Sequence, residues 1–414
     1  MPWQTKILRI IGEDSEVMEL RDAGCAVDCG VIDEAMNTDP LRIGLWLESD
    51  GPGGAELVVF RMAEELRRRG HQVVPMGPAK GVGWLGAKFR DAGFTSRVFT
   101  LRRPLDPTCL KDLVAQIRRD RLDLVHSHEF TMAVYGAAAA RAAGCPHVTT
   151  MHGNQTMTAA LRRRIALRWA FRRSAATIAV SAETRRHLDA VLGLSPGAVQ
   201  VILNGVPDRP GDPIPIRQEL GVGPEELLLV AVGNLDARKG HIFLLQALHQ
   251  LRTAGLETPW RVAIAGGRGG DQRELLEAFA REHGFLDRLH LLAQREDIPN
   301  LLAAADVFAM PSLWEGLPLA LLEAMLAGRP IVASRISGIP EAVTDDVEGL
   351  LSTPGDIESL RQALGRLLSD SALRTRLGAA ARARARREFT VEAMVDAYER
   401  RYRAALGIGT PGHG

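Results

Sequence analysis

The stretch Met310-Pro311-Ser312-Leu313-Trp314-Glu315-Gly316-Leu317-Pro318-Leu319-Ala320-Leu321-Leu322-Glu323-Ala324-Met325 places two carboxylates, seven residues between them, on either side of a loop-to-helix junction. Pro318 stands where a first helical residue is expected, Gly328 lies just past the last, and Pro330 stops any continuation. A short helix over 318–327 follows. Its N-terminus points out of the loop holding Glu315 and Gly316. Free backbone N–H groups at such an end attract phosphate, and Gly316 lets a ligand approach the backbone. Glu315 is then placed to hold hydroxyls beside that phosphate, and Glu323 to accept hydrogen bonds from a ribose. The leucines at 317, 319, 321 and 322 bury the helix, so its carboxylates need partners. Two acceptors and a diphosphate cradle describe a site for a sugar nucleotide.

Outward from that junction, short apolar runs alternate with longer helical patterns, the signature of α/β layers built on parallel sheets. Strands are expected over 41–47, 71–76, 122–126, 147–151, 176–180 and 199–203, and then over 227–232, 261–265, 289–292, 307–310 and 331–334. The Pro, Gly and Asp density of 205–215 continues neither element type and reads as a linker. After the second set, 371–387 and 391–406 read as helices. The expected division is an extension over 1–39, an N-terminal Rossmann-like domain over 40–205, a linker over 206–223, a C-terminal Rossmann-like domain over 224–385, and a closing helix and tail over 386–414.

Within the same run, Ala305-Asp306-Val307-Phe308, Pro311-Ser312, Glu315-Gly316-Leu317-Pro318, Glu323-Ala324-Met325, Gly328-Arg329-Pro330 and Gly338-Ile339-Pro340-Glu341 together resemble the donor-binding half of family-4 retaining glycosyltransferases. The similarity covers roughly residues 41–405. It implies the GT-B fold, two Rossmann-like domains facing a cleft, with a last helix that crosses back to the N-terminal domain. It also implies transfer of a hexosyl unit from a nucleoside diphosphate sugar to a saccharide or lipid-linked acceptor with retention of configuration. Residues 1–39 do not match the family's start and are either an added segment or an upstream start.

Other motifs fit that frame. Val232-Gly233-Asn234-Leu235-Asp236-Ala237-Arg238-Lys239-Gly240-His241 follows an apolar strand and opens a helix, at the carboxyl edge where open sheets bind ligands. Two cations beside a helix N-terminus oppose its dipole, which suggests that they serve an anionic ligand such as a leaving diphosphate. The resemblance places Lys239 at the family's lysine and puts uncharged Asn234 where an arginine is usual. Either Arg238 substitutes, or the site is weaker. In the first half, Asp50-Gly51-Pro52-Gly53-Gly54-Ala55-Glu56 has Glu56 where the dinucleotide fingerprint demands glycine, which argues against a dehydrogenase. By resemblance, Gly53 and Gly54 lie near the diphosphate and acceptor. His126-Ser127-His128-Glu129 and Met151-His152-Gly153-Asn154 each set an imidazole at a strand end. The resemblance assigns His128 to the donor sugar, and the residue farther past the strand is expected to project into the cleft. The expected catalytic set is therefore His128, Lys239 and Glu315. The donor set is Gly233, Asn234, Arg238, Gly316, Leu317 and Glu323, and the acceptor or diphosphate set is Gly53, Gly54 and His152. By resemblance, 266–270 looks like another donor-domain loop and 294–297 lies where the family's backbone meets the base, both more weakly assigned than the glutamate motif.

Composition excludes several classes. With 51 basic against 50 acidic residues, no global field draws nucleic acid. Four cysteines make no disulfide framework, and Cys25 and Cys29 lack a second ligand pair. No apolar run suffices to span a bilayer and no signal sequence is evident, so the expected location is cytoplasmic, either free or peripheral on the inner membrane face. The segment 161–173 combines six arginines with Leu, Ile, Trp and Phe at helical spacings. It is either a core-packed helix with a solvated basic face or a contact with anionic lipid. No clustered carboxylate or histidine set suggests a metal, and no cofactor beyond the donor is expected. The alternatives are a nucleotide-sugar epimerase of GT-B fold and a catalytically degenerate sugar-nucleotide binder, the latter suggested by Asn234.

Overall fold

The computed structural model describes residues 39–408, except 154–157, 159, 268 and 269. Expectations for 1–38, for Asn154, and for the middle of the 266–270 loop lie outside the described residues.

Thirteen strands form two sheets among the described residues, and every pairing between them is parallel. The first sheet contains β1 (Arg42–Leu47), β2 (Gln72–Pro78), β3 (Arg97–Phe99), β4 (Leu124–His128), β5 (His147–Met151), β6 (Ala176–Ala179) and β7 (Gln200–Val201), in the order β3-β2-β1-β4-β5-β6-β7. The second contains β8 (Leu227–Val232), β9 (Trp260–Ala265), β10 (Leu289–Leu292), β11 (Val307–Met310), β12 (Ile331–Ser334) and β13 (Gly349–Ser352), in the order β10-β9-β8-β11-β12-β13. Strand order reverses between β1 and β4 and again between β8 and β11. Chains leaving the two strands at such a switch diverge and open a crevice at the carboxyl edge, where α/β sheets bind ligands.

Each expected strand has a counterpart in these sheets, with 122–126 displaced to Leu124–His128 and 199–203 shortened to Gln200–Val201, but β3 and β13 did not show in the sequence. β3 is three residues long with Val98 exposed at an edge, too short for a hydrophobic pattern. β13 is short and follows the Asp345-Asp346 turn, where Asp346 has φ 60° and accepts from Arg376. The helix expected over 318–327 is Leu319–Leu326, and Pro318 is its cap rather than its first helical residue. With ψ 126°, Pro318 is extended, and its carbonyl accepts from the N–H groups of Leu321 and Leu322.

The two halves share one apolar core. Ile43, Leu45 and Met62 belong to the same buried cluster as Leu321, Met325, Tyr398 and Tyr402. The closing helix Val391–Ala405 crosses to the first sheet and is tied there by polar bonds. Glu399 accepts from Arg69 and lies 2.7 Å from His71 Nε2, and the Tyr402 hydroxyl lies 2.7 Å from His126 Nδ1. Between the sheets the backbones meet directly. A Cβ on Gly316 would fall 2.7 Å from the carbonyl oxygen of His152. The Glu341 carboxylate accepts from the N–H groups of Ala182 and Glu183, capping the helix Ala182–Leu192 from the opposite half.

Two predictions follow from this packing. His147 and His126 are buried and bonded to hydroxyls, His147 to Ser174 and Ser127, and His126 to Tyr402 and Thr150. Burial lowers the His147 pKa from 6.5 to about 3 and holds His126 well below 6.5. The unfolded chain takes up these protons first. Stability from these groups is therefore complete above pH 6.5 and is lost as pH falls toward about 3. The thermal midpoint should drop steeply over that window, and less steeply in His147→Gln. In Gly316→Ala, the His152 or Gly316 loop must retreat. A midpoint lowered by about 2–4 °C is expected, and an unchanged midpoint would mean that this backbone contact does not hold the two loops together.

Candidate active site

The loops after β8 and β11 are stitched together by backbone. Gly240 has φ 63°, and a Cβ there would sit 2.1 Å from the carbonyl oxygen of Pro311, so only glycine fits on both counts. The Leu313 N–H donates to the Arg238 carbonyl at 2.7 Å. This stitching brings Lys239 Nζ to 2.6 Å from Glu315 Oε1, which also accepts from Ser312 Oγ at 2.8 Å. Arg238 turns the other way and pairs with Asp236 at 2.8 Å, its side chain mostly exposed. Each of the two cations thus has a protein partner, Lys239 with Glu315 and Arg238 with Asp236, and both still line the cavity between the two sheets. Asn234 is exposed on the same loop.

These residues line a cavity of about 840 Å³ between the two sheets. Gly53, Gly54, His152, Gly233, Asn234, Arg238, Lys239, Glu315, Gly316, Leu317 and Glu323 all reach it. His128 does not. It is the last residue of β4, fully buried, with Nδ1 3.0 Å from His152 Nε2. The expectation that His128 projects into the cleft is corrected, because the chain turns at once into the helix Glu129–Ala143 and leaves His128 behind the wall. Burial holds His128 well below 6.5, with the neighbouring histidines adding to the shift. His152 stands in front of it, and burial lowers its pKa to about 4, so the imidazoles at this edge are neutral at physiological pH.

Glu323 faces the cavity from the helix Leu319–Leu326 and accepts a hydrogen bond from Arg61 of the helix Gly54–Arg68, an ion pair that bridges the halves. Asn204 Nδ2 donates to the Leu317 carbonyl at 2.9 Å and adds a second bridge. The glycine at 316, read as room for a ligand, is filled on one side by the His152 carbonyl.

Three contributors went unread in the sequence. Ser312 lay inside the quoted motif, but a serine two residues past a strand carries no signal of its own. Arg61 sits in an ordinary amphipathic helix, and its role depends on a partner 262 positions away. Glu129 lines the cavity with φ 68°, a backbone state that its position directly after the strand end His126-Ser127-His128 does not announce. The free cysteines Cys109 and Cys145 are held as thiols, burial pushing both to about 11.

The family comparisons agree with this architecture. The Glycosyltransferase Family 4 model matches residues 52–209, and the Glycosyl transferases group 1 model matches residues 214–384. An Escherichia coli UDP-Gal:alpha-D-GlcNAc-diphosphoundecaprenol alpha-1,3-galactosyltransferase is 31% identical over 280 residues, covering 65% of this chain and 72% of that protein. A D-inositol 3-phosphate glycosyltransferase of Xylanimonas cellulosilytica is 29% identical over 399 residues, covering 84% and 91%. Among solved structures, Anabaena HepE in complex with UDP superposes with a TM-score of 0.76 at 25% identity, covering 87% of this chain and 99% of that one. The fold also matches a Rickettsia africae glycosyltransferase at a TM-score of 0.80 and 18% identity, covering 90% and 100%. Both halves of the site therefore lie inside matched family regions, and the chain belongs to glycosyltransferase family 4, as a nucleotide-sugar glycosyltransferase of the GT-B fold.

Proposed function

We propose that this protein transfers a hexosyl unit from a uridine diphosphate hexose to a saccharide or lipid-linked acceptor, with retention of configuration and without a divalent metal. The observation that carries this reading is the Lys239–Glu315 pair at the switch between β8 and β11, facing the cavity. Uridine diphosphate is chosen because HepE is solved with UDP and the E. coli relative is named for a UDP-linked sugar. Lys239 neutralises the diphosphate as it leaves, and the positive end of the helix Leu319–Leu326 shares its charge. Glu315 holds hexose hydroxyls and Glu323 the ribose. As the anomeric carbon–oxygen bond breaks, a leaving phosphate oxygen takes the proton of the acceptor hydroxyl. The acceptor oxygen bonds to the same face, so no protein nucleophile is consumed. Among the described residues, no group of three or more His, Cys, Asp or Glu comes together to hold a metal ion, and Lys239 supplies the positive charge instead.

With UDP-glucose or UDP-galactose and excess chelator, turnover should persist, and the anomeric proton of the product should report retention by NMR. Lys239→Ala should lower the rate about a hundredfold, because the charge it meets grows in the transition state. Glu323→Gln should weaken donor binding by about 1–3 kcal/mol. Activity restored only by added metal, or an inverted linkage, would refute the mechanism, and wild-type turnover by the lysine variant would remove Lys239 from it.

We also infer peripheral contact with an anionic membrane through 161–173. The helix Leu161–Phe171 packs by Leu167, Ala170 and Phe171 and leaves Leu161, Ile165 and Trp169 exposed at four-residue spacing, 71%, 63% and 38%. Arg162, Arg172 and Arg173 are exposed beside that stripe. Apolar side chains rimmed by arginine suit the boundary of an anionic bilayer, where a lipid-linked acceptor is presented. Among the described residues, no helix is long and apolar enough to cross a membrane. Sedimentation with phosphatidylglycerol vesicles should carry the protein down. Ile165→Glu combined with Trp169→Glu should abolish this while leaving donor binding unchanged, and equal partition onto neutral vesicles would contradict the reading.

A further inference from the structure

Glu129 is the first residue of the helix Glu129–Ala143, yet its φ is 68°, a region that residues with a Cβ rarely occupy. Strained backbone of this kind persists only where the surroundings impose it, and it concentrates at ligand sites. Here it turns the chain directly after β4 at the reversal of strand order and brings Glu129 to the cavity wall. The residue is 7% exposed. Its Oε1 accepts from the His152 N–H at 3.2 Å, while Oε2 is buried with no partner among the described residues.

The backbone of His152 carries the argument toward the donor. Its N–H meets Glu129, and its carbonyl packs on Gly316, the neighbour of Glu315. The Glu129 carboxylate is therefore linked through the backbone of one residue, His152, to the loop assigned to the hexose. We propose that Glu129 contacts the substrate directly, its Oε2–H donating a hydrogen bond to a hydroxyl of the hexose carried by the nucleoside diphosphate. This inference rests on the donor reading above.

The groups facing Glu129 keep it a donor. Glu48, which accepts from the Thr131 N–H, and Glu56 approach from the β1 side, while His128 and His152 flank it as neutral rings. Burial first, and then the charge of Glu48, raise the Glu129 pKa from 4.5 to about 8, with the His152 N–H pulling the other way. At neutral pH the carboxyl is mostly protonated, and its Oε2 has no partner among the described residues.

Calorimetric titration of the full chain with UDP, UDP-glucose and UDP-galactose, at pH 6.5 and pH 9, tests this. At pH 6.5 a UDP-hexose should bind wild type on the order of tenfold more tightly than it binds Glu129→Ala, while UDP binds both alike. Glu129→Gln keeps an N–H donor and cannot ionise, so it should retain the hexose increment at pH 9, where wild type loses it. Failure of UDP to bind wild type would overturn the donor reading and this inference with it. If UDP binds but the hexose increment is absent in wild type or survives in Glu129→Ala, only the role of Glu129 falls. A wild-type increment unchanged at pH 9 would likewise exclude donation by the neutral acid.

Discussion

The site is organised by one contact, the 2.6 Å pair between Lys239 Nζ and Glu315 Oε1, and that contact depends on backbone rather than on side-chain attraction. A partly exposed ion pair is worth little by itself. What fixes it is the close approach of Gly240 to Pro311 and the bond from the Leu313 N–H to the Arg238 carbonyl, which together leave the two loops no other register. Preorganisation of this kind matters for transfer chemistry, because a cation already in place when charge develops costs no reorganisation.

The sheet topology explains why the loops meet at all. β8 and β11 are neighbours whose connections leave in opposite directions, and β1 and β4 repeat the arrangement in the first half. Each switch supplies one wall, and the cavity holds the residues that follow these four strands. The crossing helix Val391–Ala405 then locks the first wall from behind through Tyr402 and Glu399. The catalytic edge and the C-terminal helix are consequently parts of one packing unit.

Much of this was legible in the sequence because it depends on local chemistry. Apolar runs of strand length, the Pro and Gly brackets of the helix near 318–327, and the density of motifs around Glu315 each encode a local constraint, and the two-sheet fold follows from their alternation. What escaped reading was non-local. His128 was placed in the cleft by counting residues past a strand, but the left-handed turn at Glu129 ends that count and gives His152 the wall. The partners of the cations at 238 and 239 are not legible either, because Glu315 lies 76 positions from Lys239 and Asp236 sits in the same loop as Arg238 without a pattern that marks the pair. The pairing of Arg61 with Glu323 is likewise invisible without the fold.

That last pairing bears on how a donor enters. Glu323 offers Arg61 only Oε1, and a carboxylate has acceptor positions on both oxygens. On the proposed reading a ribose would take the other oxygen while Arg61 stays in place, and the cation would hold the rotamer that meets it. The bridge is a positioning contact as much as an interdomain one. Its partner lies on the helix Gly54–Arg68, which begins at the Gly53-Gly54 loop on the same cavity wall. One helix therefore carries both the glycine loop and the cation that pairs with Glu323, so the first half meets the donor-side helix at two points of the same wall.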